Sequence, residues 1–101
     1  MTNITTKNHN NFNAVIETLT NLGFEVTYTS PVDNGADLQN GVKKVSVMQF
    51  DGVNNELIKI TPHVAITIKQ NDNLGGYHTT FIQEDEDIVV ALERLKKYLS
   101  F

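Results

Sequence analysis

The sequence predicts an α+β fold: a two-layer sandwich in which an antiparallel sheet of four to five strands carries an N-terminal and a C-terminal helix on one face. Three observations lead there. Apolar residues recur at helical spacing near both ends of the chain. Between those ends they alternate at a period of two. The other face of the alternating segments reads mostly as Thr, Lys, Glu and Ser. Each helix therefore has one stripe to bury, and the sheet has one face to receive it. The order reads α-β-β-β-β-β-α, and 101 residues suit one domain with a single modest core.

Beyond Met1, residues 1–9 offer one strongly apolar side chain, Ile4, and read as a flexible tail, so the domain is expected over 10–101. Phe12, Val15, Ile16, Leu19 and Leu22 then share one helical face, with Asn10 or Asn11 as the cap. Gly23 is placed to end that helix in the left-handed conformation, with Phe24 packing back on the last turn. Phe24, Val26 and Tyr28 alternate as a half-buried strand closed by Ser30-Pro31. Residues 30–42, with Pro31, Asn34-Gly35 and Asn40-Gly41, read as one long loop. Val45 and Val47 open a second strand that runs to Phe50. Leu57, Ile58 and Ile60 make a short third, and Val64, Ile66 and Ile68 line the inner face of a fourth. Tyr77, Thr79 and Phe81 alternate in a fifth. Pairing Ile66 with Phe81 and Ile68 with Thr79 keeps the apolar partners together and leaves Ile82 outside. The last helix, about 85–99, buries Ile88, Ala91, Leu92, Leu95 and Leu99, with Val89 and Tyr98 beside them.

Charge is concentrated at one place. Glu84, Asp85, Glu86 and Asp87 stand in a row before the last helix. Without them the chain is balanced, 8 acids against 8 bases, so they equal its whole net charge of -4. In the first helical turn they would complement the exposed N–H groups, with Arg94, Lys96 and Lys97 at the favourable opposite end. One or two acids would serve that purpose, and four in a row repel. The excess points to an acidic patch that faces a partner.

Several function classes are excluded or disfavoured. Cysteine is absent, which removes disulfides, thiolate zinc sites and a Cys nucleophile. Arg94 is the single arginine in an acidic chain, which argues against direct nucleic-acid binding. No apolar leader is present, and the longest aliphatic run, 88–92, is far short of a membrane span, so a cytoplasmic location is expected. No metal site is expected. The four acids of 84–87 point in successive directions around a helix. The segment from Asp33 through Asn34 to Asp37 fails the calcium-loop pattern, with Leu38 where Gly is needed and Lys44 where Glu is needed. His9, His63 and His78 are too dispersed to share a metal or a proton, with His78 facing outward beside Thr80. Ser30, Ser46 and Ser100 lie in no nucleophile elbow, and Gly75-Gly76 precedes a strand where a phosphate loop needs a helix. No catalytic residue or cofactor follows from the sequence, and the expected class is not an enzyme.

The positive signals concern surfaces. Met48 and Phe50 alternate with Val47 and Gln49, so this strand shows apolar groups on both faces. Ile58 does the same against Leu57 and Ile60. A second buried contact is implied: the 30–42 loop folded over the sheet, a partner groove, or a homodimer. In size and charge the chain is similar to small acidic inhibitor proteins of phages and mobile elements, a likeness of class that no motif carries. The function expected is thus a small protein-binding module whose acidic patch blocks a basic site on a nucleic-acid-processing protein. The alternatives are a self-associating structural or chaperone-like protein and a small-ligand domain using the loop residues Asp33, Asn34 and Asp37 with Tyr77 and His78.

Overall fold

The computed structural model describes residues 2–30, 35–70 and 77–99. Helix α1 spans Thr2–Asn21 and α2 spans Ile88–Leu99. Between them lie β1 (Glu25–Ser30), β2 (Gly35–Asn40), β3 (Lys43–Phe50), β4 (Val53–Asn54), β5 (Lys59–Ile60), β6 (His63–Gln70) and β7 (Tyr77–Gln83). The main sheet has the order β1-β2-β3-β6-β7, every neighbouring pair antiparallel, and β4 and β5 form a separate two-stranded sheet. The α+β class is as the sequence predicts.

One core joins both helices to one sheet face. Val15 and Leu19 of α1 and Ala91, Leu95 and Leu99 of α2 meet Leu38, Val45, Val47, Val64, Ile66, Ile68 and Ile82. Phe24 completes it from the turn after α1. That turn follows its sequence signals. Gly23 has φ +98°, its N–H reaches Thr20 O, and the Phe24 N–H reaches Leu19 O at 3.0 Å. This is the paired bonding of a Schellman cap, which brings Phe24 back to Leu19 in the core.

Five expectations are corrected. First, α1 starts at Thr2, so the stretch read as a tail is helical, and Asn8 within it is fully buried. Apolar periodicity missed it because the buried face continues through polar residues, Asn8 and Asn11, ahead of Val15 and Leu19. Second, the 30–42 segment contains β2. Its two apolar side chains, Ala36 and Leu38, are too few to signal a strand, but β2 pairs along its length with β3 and with β1. Third, the register of β1 shifts between Val26 and Tyr28. The bulge turns Tyr28 to the outer face, level with Asp37, while Thr29 stands level with buried Ala36.

Fourth, Leu57, Ile58 and Ile60 do not belong to the main sheet. Residues 51–62 form an arm between β3 and β6, and β4–β5 is its stem. Fifth, the β6–β7 register is one residue from the expected one. Ile66 pairs with Thr80, Ile68 with His78, Val64 with Ile82 and Ala65 with Phe81. Strand β7 has a large apolar group on each face, so either register buries one. The fold places Ile82 in the core and leaves Phe81 outside, edge-on to His63 with ring centroids 5.4 Å apart. His78 accordingly lies on the helix side of the sheet, 4.1 Å from the Tyr98 ring.

Helix α2 begins later than its acids suggest. Asp87 is the N-cap: Oδ1 accepts from the Val89 N–H at 2.9 Å, and its carbonyl accepts the first helical bond, from Ala91. At the other end, Lys43 from β3 donates to Leu99 O at 2.7 Å and satisfies a terminal carbonyl. Ile88 and Leu92 are half-buried against the core as expected, whereas Val89 stands in solvent beside Val90.

Candidate functional site

Alternation along the strands sends Met48 and Phe50 of β3, His63 and Ala65 of β6 and Phe81 of β7 to the sheet face opposite the helices. The ladders fix their neighbours. One row across the sheet reads Gly35, Met48, Ala65, Phe81, and the next reads Phe50, His63, Gln83. Met48 is 50% exposed, Phe50 40% and Phe81 48%. Exposure of that size on two aromatics and a methionine, adjacent across three strands, makes a contiguous apolar patch. His63 holds its middle. Its ring lies 5.2 Å from Phe50 and 5.4 Å from Phe81. Its Nδ1 is 2.9 Å from Thr61 O, so that nitrogen carries the proton and donates. Apart from Tyr28, the rest of this face is polar: Asp37 accepts from the Ser46 hydroxyl, Thr67 bonds Thr79, and Lys44 and Lys69 stand beyond them.

The arm leaves the sheet after Phe50 and returns at His63, at the same end as the patch. Its tip is built stiffly. Asn55 Oδ1 accepts from both the Leu57 and Ile58 N–H groups at 2.8 Å, and Asn55 N–H donates to Ile58 O. This side-chain turn presents Leu57 at 93% exposure, with Ile58 and Ile60 also in solvent. The base is held from three sides. Gly52 has φ +85°, and a Cβ there would collide with Ile60 O. Glu84 N–H donates to Pro62 O. Buried Asn8 bridges the strand ends, its Nδ2 donating to Phe50 O at 3.0 Å and His63 O at 3.3 Å. Beside it His9 meets Gln49, which donates to Asp51. Asn8 and Asn11 each keep one buried polar atom unpaired, Oδ1 and Nδ2. A bound water is the ordinary partner for such atoms.

The acidic row is largely spent on structure. Glu86 Oε1 pairs with Arg94 at 3.0 Å and Oε2 accepts from the Gln83 N–H at 2.6 Å. Burial pushes the Glu86 carboxyl up, but the Arg94 hydrogen bond, the Gln83 N–H and the Arg94 charge outweigh it and hold the group below its usual range. Arg94 also donates to Phe81 O at 3.0 Å. Phe81 O and the Gln83 backbone are thus satisfied from the α2 side, which closes the end of the β7 edge. Glu84 is half-buried with Oε2 unpaired, and Asp87 is the cap. Asp85 and Asp87 are the exposed pair.

Among the residues expected to act, Met48, Phe50 and Ile58 are brought to one end of the molecule and are exposed there. Asp33 and Asn34 lie outside the described residues. Asp37 is on the outer sheet face and His78 on the helix side, so the two do not converge. Ala65, His63, Phe81 and Leu57 were not anticipated. Two consecutive large apolar residues, Phe81-Ile82, were the signal for one of them, since a strand can bury only one of such a pair on a single face. Grooves among the described residues are lined by Asp37, Ser46 and Lys69, by Phe12, Ile16 and Val26, and by Val53, Ile60 and Glu84. Each holds 290 to 300 Å³ and is wide open, at the bottom of the range for small-molecule sites. Among the described residues no three His, Asp or Glu side chains are grouped to hold a metal ion, and no helix is long and apolar enough to cross a membrane. No protein-family model matches this chain, and no curated protein and no solved structure matches it.

Proposed function

We propose that this chain is a non-enzymatic protein-binding module whose contact surface is the apolar end of the outer sheet face, flanked by the arm tip. The observation that carries it is the exposure of Met48, Phe50 and Phe81 side by side on a sheet face that receives no second layer among the described residues. Water-exposed aromatic and methionine side chains fixed on strands are pre-organised, so covering them gains apolar burial with little ordering cost. The stiff Leu57–Ile58 tip adds a second anchor at the same end.

A block of a basic site by the acidic row, of the kind a phage or mobile-element inhibitor would use, rests on less. Glu86 is paired with Arg94 and Asp87 caps α2, so the exposed Asp85 with the outer oxygen of Asp87 makes only a small plug. One experiment separates the surfaces. Tagged chain is used to capture partners from native lysate as wild type, as Phe81→Ser with Met48→Ser, and as Asp85→Asn with Asp87→Asn. The patch reading expects a defined partner, or self-copies, to be lost from the first variant and kept by the second. The reverse result transfers the function to the acids, and retention by both removes the patch from the function.

A further inference from the structure

We infer that a second copy of this chain covers the outer sheet face, the two sheets packing face to face about a twofold axis with Phe81 of each copy seated over Ala65 of the other. This rests on the binding-module reading and names the occupant.

The relief of the patch is the first argument. Met48, Ala65 and Phe81 are direct neighbours across β3, β6 and β7, with Ala65 in the middle. Two large side chains therefore flank a methyl-sized notch, and Gly35 continues the row beyond Met48. Strand spacing puts the two flanking positions about 10 Å apart, room for one aromatic ring between them, and stacked sheets stand about 10 Å from each other. A twofold contact needs a surface that complements itself, so that residue i meets j while j meets i. A knob one strand away from a notch, on the same row, meets that requirement.

Charge is the second argument. The two rows of the patch, Gly35 to Phe81 and Phe50 to Gln83, carry no Asp, Glu, Lys or Arg. A neutral patch on a chain of net charge -4 gives a charged partner nothing to read, whereas a like patch brings no opposed charge into the contact. Area is the third. Taking about 200 Å² for a whole side chain of this size, Met48, Phe50 and Phe81 leave roughly 280 Å² exposed. With Ile58 of the arm and a polar rim, each copy contributes about 500 Å². The pair then buries about 1,000 Å², the lower limit for a specific interface. The complex expected is a weak dimer, with a dissociation constant of micromolar order.

Sedimentation of the purified chain from about 1 to 200 µM tests this. Wild type is expected to pass from monomer to dimer over that range. Phe81→Ser is expected to weaken dimerisation about tenfold or more with thermal unfolding shifted by no more than ~2 °C, because Phe81 lies outside the core. Ala65→Phe is the sharper variant. It enlarges the apolar patch, so mere stickiness would strengthen association, but it fills the notch, so the seated geometry requires the dimer to weaken. A wild type that stays monomeric throughout, or an Ala65→Phe chain that dimerises as well as wild type, overturns the inference. Should wild type be monomeric while Phe81→Ser with Met48→Ser still loses a captured protein, the binding-module reading stands and the second-copy occupant falls. Should that capture also survive, both fall.

Discussion

Glu86 and Arg94 show how single residues set the acid response. The folded Glu86 carboxyl is held below its ordinary value, so ionised Glu86 stabilises the fold above the usual glutamate range, near pH 4.3, and that stabilisation is lost as pH falls through the lowered value. Glu86→Gln is expected to lower the unfolding temperature at pH 7 by the equivalent of about 1 kcal/mol, the pair being partly exposed. The gap from wild type should narrow as pH falls through the lowered Glu86 value, where the wild-type carboxylate takes up its proton. A thermal unfolding series from pH 7 to pH 3 reads this directly. Asn8 is a stronger case because it is fully buried and serves two carbonyls. Asn8→Leu keeps the size and removes the donor, leaving Phe50 O and His63 O unpaired, a loss of roughly 2–3 kcal/mol by urea denaturation. Neither residue announced its role. An Asn among Asn and Thr carries no positional signal in a sequence, and a Glu in a run of four acids cannot be told from its neighbours until a base is seen beside it.

At the level of elements, the signals written into a few adjacent residues were readable. Gly23 and Phe24 end α1 as their chemistry requires, and Val64, Ile66 and Ile68 occupy the inner face of β6. The start of α2 was less so. Acids before an apolar stripe mark a helix N-terminus, but which of four becomes the cap depends on where β7 stops and on Glu86 being drawn to Arg94. Asp87→Ala is expected to cost about 1 kcal/mol and to raise amide exchange in the first turn of α2, whereas Asp85→Ala should change little. The arm depends on Gly52 in the same local way. Gly52→Ala forces a Cβ against Ile60 O at a positive φ, and the expected result is loss of exchange protection at Asn55 and Ile58 while the unfolding temperature stays within ~3 °C of wild type.

Across the whole molecule, both helices lie on one side of a five-stranded meander, and the arm and patch lie away from their shared core. Stability and surface are thereby separable. Replacing residues 53–60 with a short Gly-containing turn is expected to leave the unfolding temperature within ~3 °C of wild type, since Leu57, Ile58 and Ile60 are all in solvent. A large drop would show that the arm props the sheet end through Glu84 and Pro62.

The sequence by itself determined the fold class, the two helical stripes, the cap at Gly23 and the two-faced apolarity of Met48 and Phe50, because each is encoded by spacing within a few residues. Tertiary structure alone decided that residues 35–40 pair as a strand, that Ile82 is buried and Phe81 is not, that Asn8 is interior, and that Glu86 of the acidic row is tied to Arg94. In each of these the local pattern allows two outcomes, and a partner that the local pattern does not name (β3 for β2, Val64 for Ile82, Phe50 and His63 for Asn8, Arg94 for Glu86) selects one.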